Sequence, residues 1–242
     1  EYRDTEPGLP VGTLRIPSFL VHRGVRVDAR SILEATVSYA RRILLGLLRE
    51  HTSSPFLSHL EPARLADIEF TVGTELEFWV KTPTDTANID ELSAAQVLQE
   101  NYWQRTRGSA RTALEQAVMA LEAYGLHPEM GHKEVGGVKA AIGAGGELTH
   151  VMEQMEIDWR YASAVQAADN ELLARILVKE TFRANGLTVN FKAKPIPGVA
   201  GSGEHTHLGV AGVLPSGRRI NLFAPADMRS DFLSVLGYGA LM

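Results

Sequence analysis

The chain has no cysteine among its 242 residues, so it can hold neither a disulfide nor a thiolate metal site, and a bound metal must sit on oxygen or imidazole. That absence also fits a reducing compartment. No basic run with interleaved aromatics occurs, and the formal net charge is -5; both argue against general nucleic-acid binding, which needs a basic stripe to displace counterions. The longest apolar run near the N-terminus, Ile43 to Leu48, is far too short to span a bilayer and is flanked by Arg41, Arg42 and Arg49. No secretory leader, lipidation pattern, internal repeat or heptad run is read. At 45% hydrophobic residues the chain can bury a sizeable core as one large or two small domains, and the expectation is a cytoplasmic protein without nucleic-acid or membrane partners.

What is present is concentrated chemistry. The segment Phe191 to His207 reads FKAKPIPGVAGSGEHTH. On strands, Lys192 and Lys194 share one face, as do His205 and His207, while Gly198, Gly201 and Gly203 let the backbone approach a ligand closely. Upstream, TVGTELEFWV places Glu75 and Glu77 on one side of a strand with Leu76 on the other. Two carboxylates on one strand face repel each other, and a hard divalent cation is the economical compensator. Glu134 in GHKEVGG and Glu156 in VMEQMEIDW extend the set to four carboxylates and an imidazole.

Around these residues the pattern alternates strand and helix. Glu1 to Pro17, rich in Pro, Gly and charge, reads as extended, followed by a short strand at Thr13 to Val21. Asp28 caps a helix over Ala29 to Glu50, with Ile32, Leu33, Ile43, Leu44, Leu47 and Leu48 as its core candidates. A strand at Ile68 to Val80 precedes a loop over Thr82 to Asn88 and a helical region. Ser109 to Tyr124 is a packing helix ended by Gly125, with Leu114, Val118, Leu121 and Tyr124 at helical steps. Strand-like residues from Gly131, a turn at Gly143 to Gly146 and a strand over Thr149 to Asp158 bring Glu134 and Glu156 together across an antiparallel hairpin. A helix over Tyr161 to Asn185, with Val165, Leu172, Ile176 and Leu177 inward, and a strand over Leu187 to Lys192 complete the pattern. The fold class is α+β, a curved antiparallel sheet with helices on its outer side.

The motifs ELE at Glu75 to Glu77, GHKE at Gly131 to Glu134, EQMEIDWRY at Glu153 to Tyr161 and KPIPGVAGSGEHTH at Lys194 to His207 together resemble the glutamine synthetase family in order and spacing. The resemblance runs from about Ile68 onward, and PVGTLRIPSFL at Pro10 to Leu20 is similar to the preceding segment of one bacterial branch. It implies the half-open barrel of the synthetase and guanidino-kinase type, with residues 1–27 as a remnant of an N-terminal β-domain and linker and 28–242 as part of a catalytic domain. Guanidino kinases themselves rely on a reactive Cys, which this chain lacks.

By resemblance Glu77, Glu134 and Glu156 hold one divalent metal, magnesium or manganese, and Glu75 and His205 hold a second. Glu129, His132, Tyr161 and His207 match ATP-contacting positions, and Gly201 matches the backbone beside the substrate glutamate. The implied reaction activates the glutamate side-chain carboxylate as an acyl phosphate for attack by ammonia, giving glutamine. The implied assembly is a homo-oligomer of stacked rings with sites between subunits. Departures are Ala200 where many members have Asn, Glu204 where Met is common, Gly209 where Ser is usual, and a longer spacing from Glu134 to Glu156. The family's N-terminal loop, its later arginines and its last metal Glu have no counterpart, so the fragment alone is expected to be inactive. Two alternatives stand beside the ammonia ligase: a γ-glutamyl ligase for a larger amine, and a catalytically silent structural or regulatory relative. The second predicts lost metal ligands, and all five are kept.

Overall fold

The computed structural model describes residues 2–3, 10–11, 16–83, 108–142, 144–145 and 148–242. The expected strand residues Thr13 to Arg15, most of the Thr82 to Asn88 loop and the helical region after it lie outside the described residues, as do Gly143 and Gly146 of the expected turn.

One long strand organises the sheet. β1 (Asp67–Pro83) pairs along one edge with β3 (Leu148–Ser163), which pairs in turn with β2 (Pro128–Ile142). Along its other edge β1 pairs first with β5 (Glu204–Val213) and then with the short β4 (Thr188–Asn190), while β6 (Arg219–Asn221) closes the far side of β5. All these pairings are antiparallel, and the sheet curls into the half-barrel that the sequence led us to expect. The α-helices among the described residues are α1 (Ala29–Glu50), α2 (Gly108–Ala123), α3 (Ala164–Ala184) and α4 (Val235–Leu241).

Strand alternation divides the sheet chemically. Leu76, Phe78 and Val80 of β1 and Met155, Ile157 and Trp159 of β3 form a buried layer with Ala113, Leu114, Ala117 and Leu121 of α2 and Leu177, Val178 and Phe182 of α3. Phe182 is fully buried and meets Phe78 edge-on with centroids 5.5 Å apart, so truncating it to Ala would cost about 3–5 kcal/mol. Around the first half of β1 a second layer joins Ile68, Val210 and Leu222 to Leu48 of α1 and to Leu57, Leu60 and Leu65. The odd-numbered residues of β1 face the opposite, concave side.

Asp28 caps α1 as expected, its carboxylate accepting from the Ser31 amide at 2.8 Å and from the Leu20 amide at 2.9 Å. Only Leu48 of the six α1 core candidates is fully buried; Ile32, Ile43 and Leu47 are exposed. The candidates came as adjacent pairs, and neighbours on a helix point about 100° apart, so one of each pair must turn from the sheet. α3 likewise begins later than expected, because Ala162 and Ser163 remain laddered to Val72 and Thr71; Tyr161 therefore lies on β3. Leu172 is exposed, and small Ala167 and Ala174 take the inward positions beside Leu177. Tyr124 is also exposed, just beyond the end of α2. Gly125 and Gly186, with φ of 78° and 75°, turn the chain out of α2 and α3.

Two strand expectations shorten. Ile16 to Leu20 is irregular, and Val21–His22 pairs with Val25–Arg26 across a tight Arg23-Gly24 turn with positive φ at both positions. Lys192 and Lys194 do not share a strand face, because the chain leaves the sheet after Asn190, whose side chain accepts from the Lys192 amide at 2.9 Å. No described helix is long and apolar enough to cross a membrane.

Candidate functional site

The concave face carries a polar row across four strands. Ladder pairing sets His132 of β2 opposite Glu156 of β3, Glu156 opposite Glu77 of β1, and Glu75 opposite both Asp158 of β3 and His205 of β5. Glu134 follows His132 within an irregular stretch of β2, between Lys133 and Val138, where the ladder to β3 shifts register. Hairpin pairing thus brings Glu134 and Glu156 together as the sequence suggested.

Side-chain contacts tie the row into two overlapping clusters. Nδ1 of His205 lies 3.0 Å from Glu75 Oε2 and 4.0 Å from Glu156 Oε2, and its Nε2 lies 3.6 Å from Glu77 Oε1. Nε2 of His132 lies 3.1 Å from Glu156 Oε1, with Glu134 Oε2 3.9 Å from its Nδ1. His207 Nε2 reaches the other oxygen of Glu75 at 2.8 Å. Glu77, Glu134 and Glu156 are buried, whereas His205 and His207 are open to solvent.

Crowding this much negative charge shifts four of the groups on this face. The hydrogen bond to Glu156 pushes His132 up to about 9, and the bond to Glu75 raises His205. Desolvation alone would lift Glu75, but donation from His205 and His207 outweighs it and holds that carboxyl below its usual range. Asp158 goes up, first through burial and then through the nearby charges of Glu156 and Glu129. Protons on imidazole thus supply the positive charge that the carboxylates need.

A divalent cation would supply that charge better. Ligand atoms of Glu75, Glu156 and His205 lie within 4.8 Å of one another, as do those of His132, Glu134 and Glu156. Opposite ligands of a Mg2+-sized ion stand about 4.2 Å apart, so either cluster can close on one with small movements. A mostly carboxylate set with one imidazole suits magnesium or manganese. Glu77 does not join either cluster at that spacing; its Oε2 accepts from the Gln154 side chain and the Gly203 amide, and its Oε1 lies 3.6 Å from His205 Nε2.

The glycines of the 198–203 loop have distinct jobs. A Cβ on Gly203 would stand 2.8 Å from His205 Nε2 and 3.1 Å from Glu77 Oε1, so this glycine lets the loop close onto the cluster. A Cβ on Gly201 would fall well inside 3.0 Å of the Ala193 carbonyl oxygen. Packing of the loop on itself therefore requires glycine at 201, which is a reason for its presence besides approach to a ligand.

A groove continues from the cluster along β1 and β5. Its first part, about 410 Å3, is lined by Gly73, Glu75, Glu129, Asp158, Tyr161 and His207. It adjoins a larger hollow of about 740 Å3 bordered by Glu69, Arg160, Tyr161 and Arg219. Arg160 and Tyr161 together oppose the single residue Gly73 at a bulge on β3, and Tyr161 comes to lie beside Gly73, whose missing side chain leaves a slot between Tyr161 and His207. Glu129, Tyr161 and His207 therefore share the groove, while His132 sits with Glu134 and Glu156 instead.

Sequence reasoning passed over Gln154 and Asp158, although the alternation Gln154, Glu156, Asp158 places all three on the face of the metal candidates. Lys133 and Glu153 were missed as well. They face the helix side, 2.8 Å apart and almost fully buried, as an ion pair behind the site.

The sequence profile described as "Glutamine synthetase, catalytic domain" matches residues 58–240. Glutamine synthetase of Mycolicibacterium smegmatis is 34% identical over 149 residues, which is 60% of this chain and 29% of that protein. That of Thermus thermophilus is 41% identical over 91 residues, 38% of this chain and 17% of the relative. The chain thus spans less than a third of these relatives. A cryo-EM structure of Plasmodium falciparum glutamine synthetase superposes with a TM-score of 0.54 at 18% identity, covering 86% of this chain and 38% of that one, a likeness of fold.

Proposed function

Since the chain belongs to the glutamine synthetase catalytic-domain family, we propose that the full-length protein is an ATP-dependent ligase that joins ammonia to the γ-carboxylate of L-glutamate. The supporting observation is the convergence of Glu75, Glu77, Glu134, Glu156 and His205 from four strands on one concave patch at the end of a nucleotide-sized groove. Glu77, Glu134 and Glu156 would hold one divalent cation, and Glu75 with His205 a second. When bound, such cations neutralise the phosphoryl oxygens during in-line transfer.

On this reading Glu129, Tyr161 and His207, which line the groove, would contact ATP, and His132, beside Glu134 and Glu156, would meet either metal or terminal phosphate. A γ-carboxylate oxygen of glutamate attacks the γ-phosphorus, the bond to ADP breaks, and γ-glutamyl phosphate forms. Ammonia nitrogen then attacks the acyl carbon, the carbon–oxygen bond to phosphate breaks, and phosphate departs with one proton lost from the nitrogen. No nucleophilic side chain is needed, which accords with a chain lacking cysteine.

A second reading, a γ-glutamyl ligase for a larger amine, is favoured by exposed Ala200 and by the long Glu134-to-Glu156 hairpin beside the site. Exposed Ile43, Leu47 and Phe232 support assembly into a homo-oligomer. Glutamine formation by the full-length protein from glutamate, ammonia and ATP, arrested by chelator and restored by magnesium or manganese, tests the first reading. Turnover undiminished in excess chelator refutes it, and faster product formation with an organic amine than with ammonia selects the second.

A further inference from the structure

Gln154 is 1% exposed, lies on the concave face of β3 opposite Trp79, and takes no part in the chemistry above. Its amide nitrogen donates to Glu77 Oε2 at 2.7 Å and to the Gly201 carbonyl at 2.8 Å. Both partners only accept, so the amide must turn its nitrogen toward them, and both its protons are committed. Glu77 Oε2 also accepts from the Gly203 amide at 2.8 Å, and the Glu77 amide donates to the Gly203 carbonyl at 3.2 Å. One oxygen of Glu77 is thereby fixed to the loop, leaving Oε1, 3.6 Å from His205 Nε2, as the oxygen that would meet a cation.

We propose that Gln154 is a positioning residue that couples the cation held through Glu77 to glutamate held beside Gly201, so that each ligand raises the other's affinity. The proposal rests on the metal and glutamate reading above. A cation on Oε1 fixes the plane of the Glu77 carboxylate; that plane fixes the Gln154 amide, and the amide fixes the Gly201 peptide. Apart from this bond and those of Gly203 to Glu77, the loop is anchored by the Ser202 amide donating to the Ala193 carbonyl at 3.0 Å. Linkage makes the effect equal in both directions.

The test uses the full-length protein without ATP, so nothing turns over. Mn2+ affinity is measured from the EPR signal of free Mn2+ with and without saturating L-glutamate, and glutamate affinity by calorimetry with and without Mn2+. The wild-type protein should show a coupling of about fivefold or more, the same in both directions. Gln154→Met keeps the bulk and removes the donor, so both ligands should bind alone with the coupling reduced to within about twofold of unity. Gln154→Asn, one methylene too short to reach both acceptors, should uncouple likewise and serves if the Met variant fails to fold. Coupling that persists in either folded variant, as direct metal–glutamate contact would give, overturns the proposal, as does its absence from the wild type when both ligands bind. Failure of the underlying reading looks different: the wild-type protein would then bind no glutamate or no Mn2+ at all.

Discussion

Adding one methyl at Gly203 should weaken the proposed metal site while leaving the fold intact, whereas the same methyl at Gly201 should cost stability. Neither glycine has a positive φ, so alanine is compatible with the backbone at both, and what decides is the neighbour each Cβ meets. At Gly203 the neighbours are His205 Nε2 at 2.8 Å and Glu77 Oε1 at 3.1 Å, both ends of side chains. The His205 side chain is 56% exposed and can swing into water, so the effect on stability should stay within about 0.5 kcal/mol. Swinging out removes an imidazole from the cluster, and displacing or disorienting a ligand in this way costs about 10- to 100-fold in metal affinity.

At Gly201 the obstacle is the Ala193 carbonyl, which belongs to the backbone and cannot rotate aside. Relieving that clash opens the loop, at about 1–3 kcal/mol. Thermal unfolding and Mn2+ titration of both variants of the full-length protein separate the two effects. A Gly203→Ala protein that binds Mn2+ within twofold of wild type, or equal losses of stability in the two variants, would refute the reasoning.

His205→Ala should lower turnover by roughly two or more orders of magnitude, as loss of a preorganised charge stabiliser does, and a rate within a few-fold of wild type would remove His205 from the site. Glu153→Met leaves Lys133 buried without its partner and should cost about 3–5 kcal/mol in denaturant unfolding, whereas Lys133→Met with Glu153→Met should recover most of that loss. For Asp28, desolvation alone would raise the carboxyl, but donation from the Ser31 hydroxyl and the Ser31 and Leu20 amides prevails and lowers it to about 2 from 3.8. A depressed carboxyl contributes stability above its unfolded value, and that contribution fades as pH falls from 3.8 toward 2. The melting-temperature advantage of wild type over Asp28→Asn should therefore shrink across that interval, and an advantage independent of pH would contradict it.

Strand alternation carried most of what the sequence revealed. Glu75 and Glu77, and His205 and His207, project to the concave side because the two-residue period admits no other arrangement once Leu76 and Phe78 are in the core. The cap at Asp28 and the glycines after α2 and α3 were legible because each answers a local backbone requirement. Helix faces were less legible. The doublets Ile32-Leu33, Ile43-Leu44 and Leu47-Leu48 satisfy a helical period on either member, and only the position of the sheet decides which one is buried.

Two errors share one cause, which is that pairing with a distant strand can override local pattern. Ala162 and Ser163 stay extended because Val72 and Thr71 ladder to them, and that extension carries Tyr161 into the groove instead of onto a helix. Lys192 and Lys194 lose their shared face because the β1 edge beyond Asn190 offers them no ladder, since β5 takes it up again only at Glu204. The role of Gln154 was hidden for a different reason. Period two places it beside Glu156, but nothing local tells that its two acceptors are a carboxylate 77 residues away and a carbonyl 47 residues away. Metal ligands reveal themselves in sequence because their chemistry is rare and their spacing rigid; the residues that orient them are common amides, distinguished only by what the completed fold brings within reach.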